Sequence, residues 1–222
     1  LKSALVSFMC KHQVIGMDSK SVREYPAHFS YSTKISISKE LHAITRQKIL
    51  LSNALGYSTS SLNEYGVSDV EFKKPSFSLP NEYVVLVQNA SWRTKQWSIA
   101  NWKLLVKHFD GSGIEMILPS GNEEEYQRAE QISSFSDKAH AFKPLSLNET
   151  AYIMKKAKFS VCSDTGLAHL SAVVGTPSLT LYGPTDTKLI GTEGINQLHI
   201  VGTNNNINSI SIEDVISKLP LI

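Results

Sequence analysis

The stretch that most constrains the fold of this chain is residues 158–186, KFSVCSDTGLAHLSAVVGTPSLTLYGPTD. Residues 159–162 and 178–182 are short β-prone runs, and between them apolar residues recur at the spacing of one helix face. Gly175 and the proline that soon follows it are typical of a helix end. Two strands joined by one helix form a βαβ unit, which predicts a parallel sheet in an α/β protein.

The start of this predicted helix carries residues that suit an anionic ligand. Asp164 can cap the helix, and the backbone N–H groups of Thr165, Gly166 and Leu167 have no partner inside it. Those groups and the helix dipole attract negative charge, while Gly166 lets a ligand approach the backbone. His169 lies on the same face as Thr165. The pattern predicts a pyrophosphate with a sugar attached, although a plain cap and a surface histidine fit the same spacing.

The same stretch is similar to the donor-binding segment of a known enzyme family. The run SDTGLAHL, followed by TPSLTLYGPTD, resembles glycosyltransferase family 9, which contains the lipopolysaccharide heptosyltransferases. The similarity extends from Lys2 to the C-terminal helix, and residues 188–191 and 194–197 resemble the heptosyltransferase I branch more than its relatives. The resemblance implies a two-lobed GT-B fold with Rossmann-like lobes. Compared with the two complete lobes of that fold, the first lobe of this chain is expected to be incomplete. We therefore expect an N-terminally truncated chain.

A second phosphate-binding element is predicted after residues 83–87, an apolar run too short for a helix and typical of a central parallel strand. In an open α/β sheet, ligands bind at the carboxyl ends of the strands. In the loop that follows, Ser91 can donate to a phosphate oxygen and Lys95 supplies a positive charge. The matching loop of the family has two threonines and a lysine, so Ala90 removes one hydroxyl here. A mobile surface lysine is the alternative interpretation of Lys95.

The contacts to the nucleoside are implied by the resemblance alone. Glu125 matches a glutamate that contacts the adenosine ribose, although the neighbouring Glu124 leaves the register open, and acids at a helix start also suit the dipole. Leu145 matches an apolar residue that covers the adenine. The complete predicted donor-binding set is Ser91, Lys95, Glu125, Leu145, Asp164, Thr165, Gly166 and His169.

The acceptor side is predicted less completely. Arg23 matches an arginine that contacts a carboxylate or phosphate of the acceptor, and a guanidinium binds both bidentately. An exposed ion pair with the adjacent glutamate is the alternative. A helix is predicted over residues 38–55, capped by Ser38, ended by Gly56 and carrying an apolar stripe of Leu41, Ile44, Leu51 and Leu55. His42 and Arg46, one turn apart on another face of it, are candidates to line the acceptor cleft, or else belong to a solvated face. The general base of the family is expected upstream of Leu1, so no catalytic residue is assigned.

The composition, with 41% hydrophobic and 19% charged residues, is ordinary for a globular protein. The net charge is +2 and there is no Lys/Arg-rich run, so no strong nucleic-acid field is implied. The 2 cysteines form no disulfide or zinc pattern, which fits a reducing cytosol. No Asp-x-Asp triplet is present, so we expect no metal requirement, and no other cofactor is implied. Residues 1–77 are predicted to be the remainder of an acceptor-side lobe plus a linker, and residues 78–222 a Rossmann-like nucleotide-sugar domain.

Local patterns predict further elements within these bounds. Residues 18–34 are expected to be irregular, and the linker is expected at 58–80. A helix that Ser98 caps is predicted to bury one face, which carries Trp102, Leu105, Val106 and Phe109. Ser146 and Glu149 form a capping box for a helix with Leu147 on its buried side, and the terminal helix is expected over residues 211–219.

The resemblance implies an inverting transferase that moves heptose from ADP-L-glycero-D-manno-heptose to Kdo of lipid A in lipopolysaccharide inner-core synthesis. It further implies a monomer in the cytoplasm, peripheral at the inner membrane of a Gram-negative bacterium. Heptosyltransferase II, or another member with a different nucleotide sugar, is one alternative, and a non-catalytic nucleotide-binding fragment is another. A dehydrogenase is disfavoured because no G-x-G-x-x-G follows any predicted strand.

Overall fold

The computed structural model describes residues 2–10, 12–58 and 65–220. The chain divides into two compact units: unit 1 is Leu1–Leu62 with Asp186–Gly191, and unit 2 is Asn63–Thr185 with Thr192–Ile222. The boundary predicted between residues 77 and 78, and the assignment of the first 77 residues to an acceptor-side lobe, stay predictions. Of the linker expected at 58–80, residues 59–64 lie outside the described part, and 65–80 form turns and bends without helix or strand.

Helices and strands alternate along most of the chain. In order they are α1 (Lys2–Met9), β1 (Ile15–Met17), β2 (Thr33–Ile35), α2 (Ala43–Leu55), β3 (Tyr83–Val87), α3 (Ile99–Gly111), β4 (Glu115–Leu118), α4 (Glu123–Ser133), β5 (Ala139–Ala141), α5 (Leu147–Lys156), β6 (Phe159–Ser163), α6 (Gly166–Val173), β7 (Ser178–Tyr182), α7 (Thr187–Ile190), β8 (Gln197–Val201) and α8 (Ile212–Ile216). Short 3-10 helices lie at Tyr25–Ser30, Arg93–Lys95, Thr203–Asn205 and Ile207–Ser209. No helix in the described ranges combines the length and the apolar character that crossing a membrane requires.

Unit 1 contains a two-stranded parallel sheet, β1 with β2, in which Ile15 is opposite Thr33. Residues 18–34 were expected to be irregular, and that prediction was wrong, because this segment includes a 3-10 helix and the first residues of β2. The strand is only three residues long and pairs with a segment distant in sequence. Neither feature produces a local sequence signal.

Helix α2 begins later than predicted. The Ser38 hydroxyl accepts a hydrogen bond from the Glu40 N–H at 3.2 Å, a local bond that competes with helix formation. His42 caps the helix instead, because its Nδ1 accepts from the Ile44 N–H at 3.3 Å. The predicted end is confirmed at Gly56, whose φ of 71° suits glycine. None of the residues of α2 is buried, so the predicted apolar stripe does not face a core within the described residues.

Unit 2 is built on a six-stranded parallel sheet in the order β5-β4-β3-β6-β7-β8. Numbered from β3, this is the order 3-2-1-4-5-6 of doubly wound dinucleotide-binding folds. Strands β3, β6 and β7 are buried along their whole lengths, as expected for strands covered on both faces. The parallel α/β sheet predicted from the sequence is therefore confirmed.

The two faces of this sheet are covered by different helices. One face packs against α3, α4 and α8, and the predicted core residues of α3 are all buried there: Trp102, Leu105, Val106 and Phe109. The other face packs against α5 and α6. Under α6 the side chains are small: Ser160 Oγ lies 2.7 Å from Ser171 Oγ, and burial raises the pKa of the neighbouring Cys162 thiol to about 12. These small residues let α6, and the loop that begins it, sit close to the strands.

Two predictions about helices α5 and α8 of this unit need correction. Leu147 was expected on the buried side of α5 but is 67% exposed, because it is the first residue of the helix and the buried positions begin at Thr150. The terminal helix was expected over residues 211–219, whereas α8 ends at Ile216. The predicted capping box at Ser146 and Glu149 is confirmed.

The capping box makes the stability of unit 2 sensitive to acid. Hydrogen bonds from Ser146, and then from Lys73 at 2.9 Å, lower the pKa of the Glu149 carboxyl from 4.5 to about 2. A carboxyl with a lowered folded-state pKa stabilises the fold above its ordinary pKa and loses that contribution as the pH falls toward 2.

We expect Glu149→Gln, which keeps the capping geometry, to lower the melting temperature near neutral pH and to lower it far less at about pH 2, where the folded-state carboxyl is about half protonated. The difference in melting temperature between the two conditions should therefore shrink. Circular dichroism melts from acid to neutral pH measure this difference. Glu71→Gln, at an exposed carboxylate in the irregular segment, is the control and should leave the pH dependence as it is. A parallel drop for Glu149→Gln at every pH would contradict the prediction.

Candidate functional site

The predicted donor-binding residues of unit 2 all follow strands at one edge of its sheet. Ser91 and Lys95 come after β3, Glu125 follows β4, and Leu145 follows β5. Asp164 to His169 follow β6. Because all six strands are parallel, their carboxyl ends lie at the same edge. Strands β3 and β6 are neighbours although β4 and β5 lie between them in sequence, so their loops flank the topological switch point where such folds bind ligands.

A pocket of about 250 Å³ opens at this switch point. Four of the predicted donor-binding residues line it, and each follows a different strand of the sheet: Ser91, Glu125, Leu145 and Thr165. Val87, Leu145 and Leu167 give it apolar walls, while Ser91, Ser120 and Glu125 supply polar groups. An apolar slot with a few convergent polar groups suits a nucleoside, whose base is flat and whose ribose carries hydroxyls.

The structure separates the two glutamates that the sequence left open. Glu125 lines this pocket, and its Oε2 accepts a hydrogen bond from the Gly121 N–H at 2.8 Å, which fixes the carboxylate near the end of β4. Glu124 does not line it. It lines only a neighbouring polar cleft of about 510 Å³, which Glu125 lines as well. The geometry favours Glu125 as the residue that reaches a ligand in the smaller pocket.

Beside the pocket, Lys95 and Asp164 form an ion pair. Lys95 Nζ lies 2.7 Å from Asp164 Oδ2, and the side chains are 21% and 7% exposed. The prediction that Asp164 caps α6 was wrong, since Thr165 occupies the N-cap position and its side chain makes no cap hydrogen bond. The ammonium group of Lys95, together with the hydroxyl of Thr185, draws the Asp164 carboxylate away from the helix.

The first amides of α6 are directed to the same place. Within the described residues, the N–H groups of Thr165, Gly166 and Leu167 have no protein acceptor. A Cβ placed on Gly166 would have no protein atom within 4 Å, so a ligand can come close to the backbone there. His169 is half-buried on the first turns of the same helix. Amides, a lysine and a hydroxyl around a helix start have the chemistry that suits a diphosphate.

The predicted acceptor-side residues belong to unit 1. Arg23 is exposed. His42 and Arg46 have structural partners: the His42 Nε2 lies 3.0 Å from the Gly191 carbonyl oxygen, and Arg46 donates to the Ser21 carbonyl oxygen. Both side chains thus stabilise unit 1 itself, and Arg23 remains the one predicted acceptor contact with an exposed guanidinium.

Sequence reasoning missed two residues at this edge. Thr185, after the Gly-Pro break that ends β7, donates from Oγ1 to Asp164 Oδ2. Gln88 continues β3 and is fully buried, and neither its amide oxygen nor its amide nitrogen has a partner among the described residues. A signal for both was available, because each is a polar residue within three positions of the end of a buried strand in a parallel sheet. Among the described residues, no three His, Cys, Asp or Glu side chains converge as metal ligands would.

Comparison with known proteins gives a consistent result. Residues 1–219 match the family model described as glycosyltransferase family 9 (heptosyltransferase). The chain is 33% identical over 218 residues to lipopolysaccharide heptosyltransferase 1 of Salmonella typhimurium, covering 98% of this chain and 68% of that protein.

Two solved structures of one enzyme agree with this match. E. coli heptosyltransferase WaaC with ADP superposes with a TM-score of 0.88 at 32% identity, over 97% of this chain and 68% of that one. WaaC with ADP-2-deoxy-2-fluoro heptose gives a TM-score of 0.85 at 30% identity, over 97% and 67%. These matches confirm the α/β, GT-B type of fold and the family predicted from the donor motif. The chain belongs to glycosyltransferase family 9, the heptosyltransferases.

Proposed function

We propose that this protein transfers heptose from ADP-L-glycero-D-manno-heptose to Kdo of lipid A in lipopolysaccharide inner-core synthesis, with inversion at the anomeric carbon. The relatives support this assignment, because WaaC binds ADP and a fluorinated ADP-heptose and the curated relative is a lipopolysaccharide heptosyltransferase 1. The observation that carries it is the Lys95–Asp164 pair at the start of α6, beside a pocket lined by Ser91, Glu125 and Leu145.

In the proposed reaction, the bond between the anomeric carbon and the β-phosphate oxygen of ADP breaks as the acceptor hydroxyl attacks the opposite face. Negative charge then grows on the departing diphosphate. Lys95, Ser91 and the free amides at the start of α6 are placed to stabilise that charge, and preorganised donors of this kind are the main electrostatic contribution to such reactions. His169 would add a further donor. No described residue is assigned as the base that takes the acceptor proton.

The surroundings of the reaction are part of the same proposal. We infer an acceptor at a membrane surface, contacted by the exposed Arg23, and an enzyme that is a cytoplasmic monomer at the periphery of the inner membrane. We also infer that transfer needs no metal ion, because lysine and backbone N–H groups can neutralise the diphosphate. Turnover that stops on adding a chelator would contradict this last point.

Calorimetric titration of the 222-residue chain with ADP, UDP and ADP-heptose, followed by a transfer assay with Kdo-lipid A, tests the proposal. We expect ADP to bind at least about tenfold more tightly than UDP, because a purine fills the apolar slot and the ribose contacts are preserved. Preference for a UDP-sugar would favour another member of the family. Binding of ADP-heptose without transfer would favour the nucleotide-binding fragment, and binding of neither ADP nor ADP-heptose would overturn the proposal.

The charge of Asp164 should affect the affinities of the two ligands differently. With Asp164→Asn, we expect ADP to bind several-fold more tightly, because Lys95 is released from its ion pair and a buried anion no longer faces the diphosphate. ADP-heptose should gain less affinity than ADP, or should lose affinity, because a carboxylate accepts hydrogen bonds from sugar hydroxyls better than an amide does. Calorimetry with both ligands measures the ratio. Asp137→Asn, an exposed carboxylate in the turn before β5, is the control and should change neither affinity.

A further inference from the structure

Thr185 is buried at the carboxyl end of β7 and is bonded to the carboxylate that we place at the donor sugar. Only 8% of the residue is exposed, and its hydroxyl donates to Asp164 Oδ2. The same oxygen is 2.7 Å from Lys95 Nζ, with which it forms an ion pair. One oxygen of Asp164 therefore takes two donors that come from the loops after β3 and β7.

This arrangement leaves the two oxygens of Asp164 in different states. Oδ2 is occupied by Lys95 and Thr185, whereas no donor among the described residues contacts Oδ1. Two donors on one oxygen fix the rotation of the carboxylate and hence the direction of the other oxygen. A carboxylate that is mostly buried requires donors for its remaining lone pairs. Oδ1 is thus held ready for a donor supplied by a ligand.

The chemistry of that ligand group follows from charge. An ionised carboxylate oxygen accepts hydrogen bonds and repels phosphate oxygens. Beside a diphosphate site, a group that can donate to it is a sugar hydroxyl. We propose that Thr185 is a positioning residue, one that orients Asp164 so that the site prefers a nucleotide carrying a sugar over the bare nucleoside diphosphate. This inference rests on the proposed function and assigns its sugar selectivity to a residue that does not itself touch the ligand.

A purely structural role for Thr185 makes different predictions. If the hydroxyl only stabilises the Gly-Pro turn, its removal should lower the melting temperature and weaken the binding of both ligands equally. A positioning hydroxyl acts through Asp164, so its effect is restricted to the sugar-bearing ligand and disappears when the carboxylate is absent. Serine keeps the hydroxyl, whereas valine keeps the shape of threonine without it.

The experiment measures ADP and ADP-heptose affinities of the 222-residue chain by calorimetry for Thr185→Val, Thr185→Ser, Asp164→Asn and the double variant Thr185→Val/Asp164→Asn. We expect Thr185→Val to weaken ADP-heptose by about tenfold, the size of a charge-assisted hydrogen bond, with ADP changed less than about twofold. Thr185→Ser should keep the ratio of ADP-heptose affinity to ADP affinity that the unaltered chain has. In the Asp164→Asn background, adding Thr185→Val should change nothing further.

The possible failures are distinct. Three results would overturn the positioning role while leaving the proposed function intact. They are an equal loss of affinity for both ligands, a serine variant that behaves like the valine variant, and a full tenfold loss of ADP-heptose affinity when Thr185→Val is added to Asp164→Asn. An unaltered chain that binds neither ADP nor ADP-heptose would overturn the proposed function and the inference together. A Thr185→Val variant that fails to fold is identified by its melting curve, and the Thr185→Ser variant and the ligand ratio then decide.

Discussion

Lys95→Met is expected to weaken ADP binding by about 100-fold, the combined effect of losing a charge-assisted contact and of leaving an anion uncompensated. In the unliganded protein Lys95 neutralises Asp164, which is only 7% exposed, across 2.7 Å. Without the ammonium group, the diphosphate loses its cationic contact and also meets an unpaired carboxylate. The two penalties have the same sign, so this single change has the largest expected effect on the site. Calorimetric titration with ADP measures it.

The matched control for this change is Lys156→Met, at an exposed lysine near the end of α5. It removes the same charge from the same unit and should change the ADP affinity less than about twofold, because exposed charges are screened by solvent and salt. The double variant Lys95→Met/Asp164→Asn should regain part of the lost affinity, since the uncompensated anion is gone. Retention of ADP binding within about threefold in Lys95→Met would show that the lysine does not hold the diphosphate.

Trp97→Ala is expected to lower the free energy of unfolding by about 4 kcal/mol, the upper part of the range for large-to-small core changes. The indole of Trp97 is fully buried and packs edge-to-face on Trp102, with 5.4 Å between ring centroids. Its Nε1 donates to the Ile210 carbonyl oxygen at 2.9 Å, and that acceptor would lose its partner. Urea denaturation measures the loss, and ADP binding should weaken as well, because Trp97 anchors the loop that carries Lys95.

Trp92→Ala in the same loop is the control. Trp92 is 67% exposed, and Lys95 Nζ lies over its ring, 5.5 Å from the ring centroid. Its removal should change the free energy of unfolding by less than about 1 kcal/mol, the size of an exposed cation–π contact. Similar losses for the two tryptophans would contradict the view that burial, rather than residue type, determines the effect.

The sequence predicted the central sheet of unit 2 well because its strands carry a strong local signal. Residues 83–87 and 178–182 are short, apolar and bounded by residues that end strands, and the structure places β3 and β7 at these bounds. The core face of α3 followed in the same way from the helical spacing of its buried residues. Patterns of this kind depend on one helix or strand and on which of its faces are buried. They can therefore be recognised without knowing which segment packs against that element.

The errors occurred where a contact between distant segments determines the structure. Asp164 has the side chain of a helix cap, yet it turns toward Lys95 and Thr185, which come from two other loops. Ser38 has the side chain of a helix start, yet it closes a local turn, and His42 begins the helix. The residues at the helix start and in the Lys95 loop followed from local chemistry, and Glu125 and Leu145 from a resemblance. The structure adds the contacts between these segments, such as that of Lys95 with Asp164, which a sequence pattern does not contain.

The passage of the chain through unit 1 between Thr185 and Thr192 has a practical consequence for anyone who wishes to isolate the nucleotide-binding half. A fragment made by trimming the front of the protein would keep α7 but lose His42, whose imidazole bonds to the Gly191 carbonyl. Clean excision calls for an internal deletion whose new junction preserves the Thr185 hydroxyl on Asp164 and the Thr192 N–H on the Tyr182 phenol oxygen. Splicing, rather than shortening, is the route to a self-sufficient ligand-binding piece.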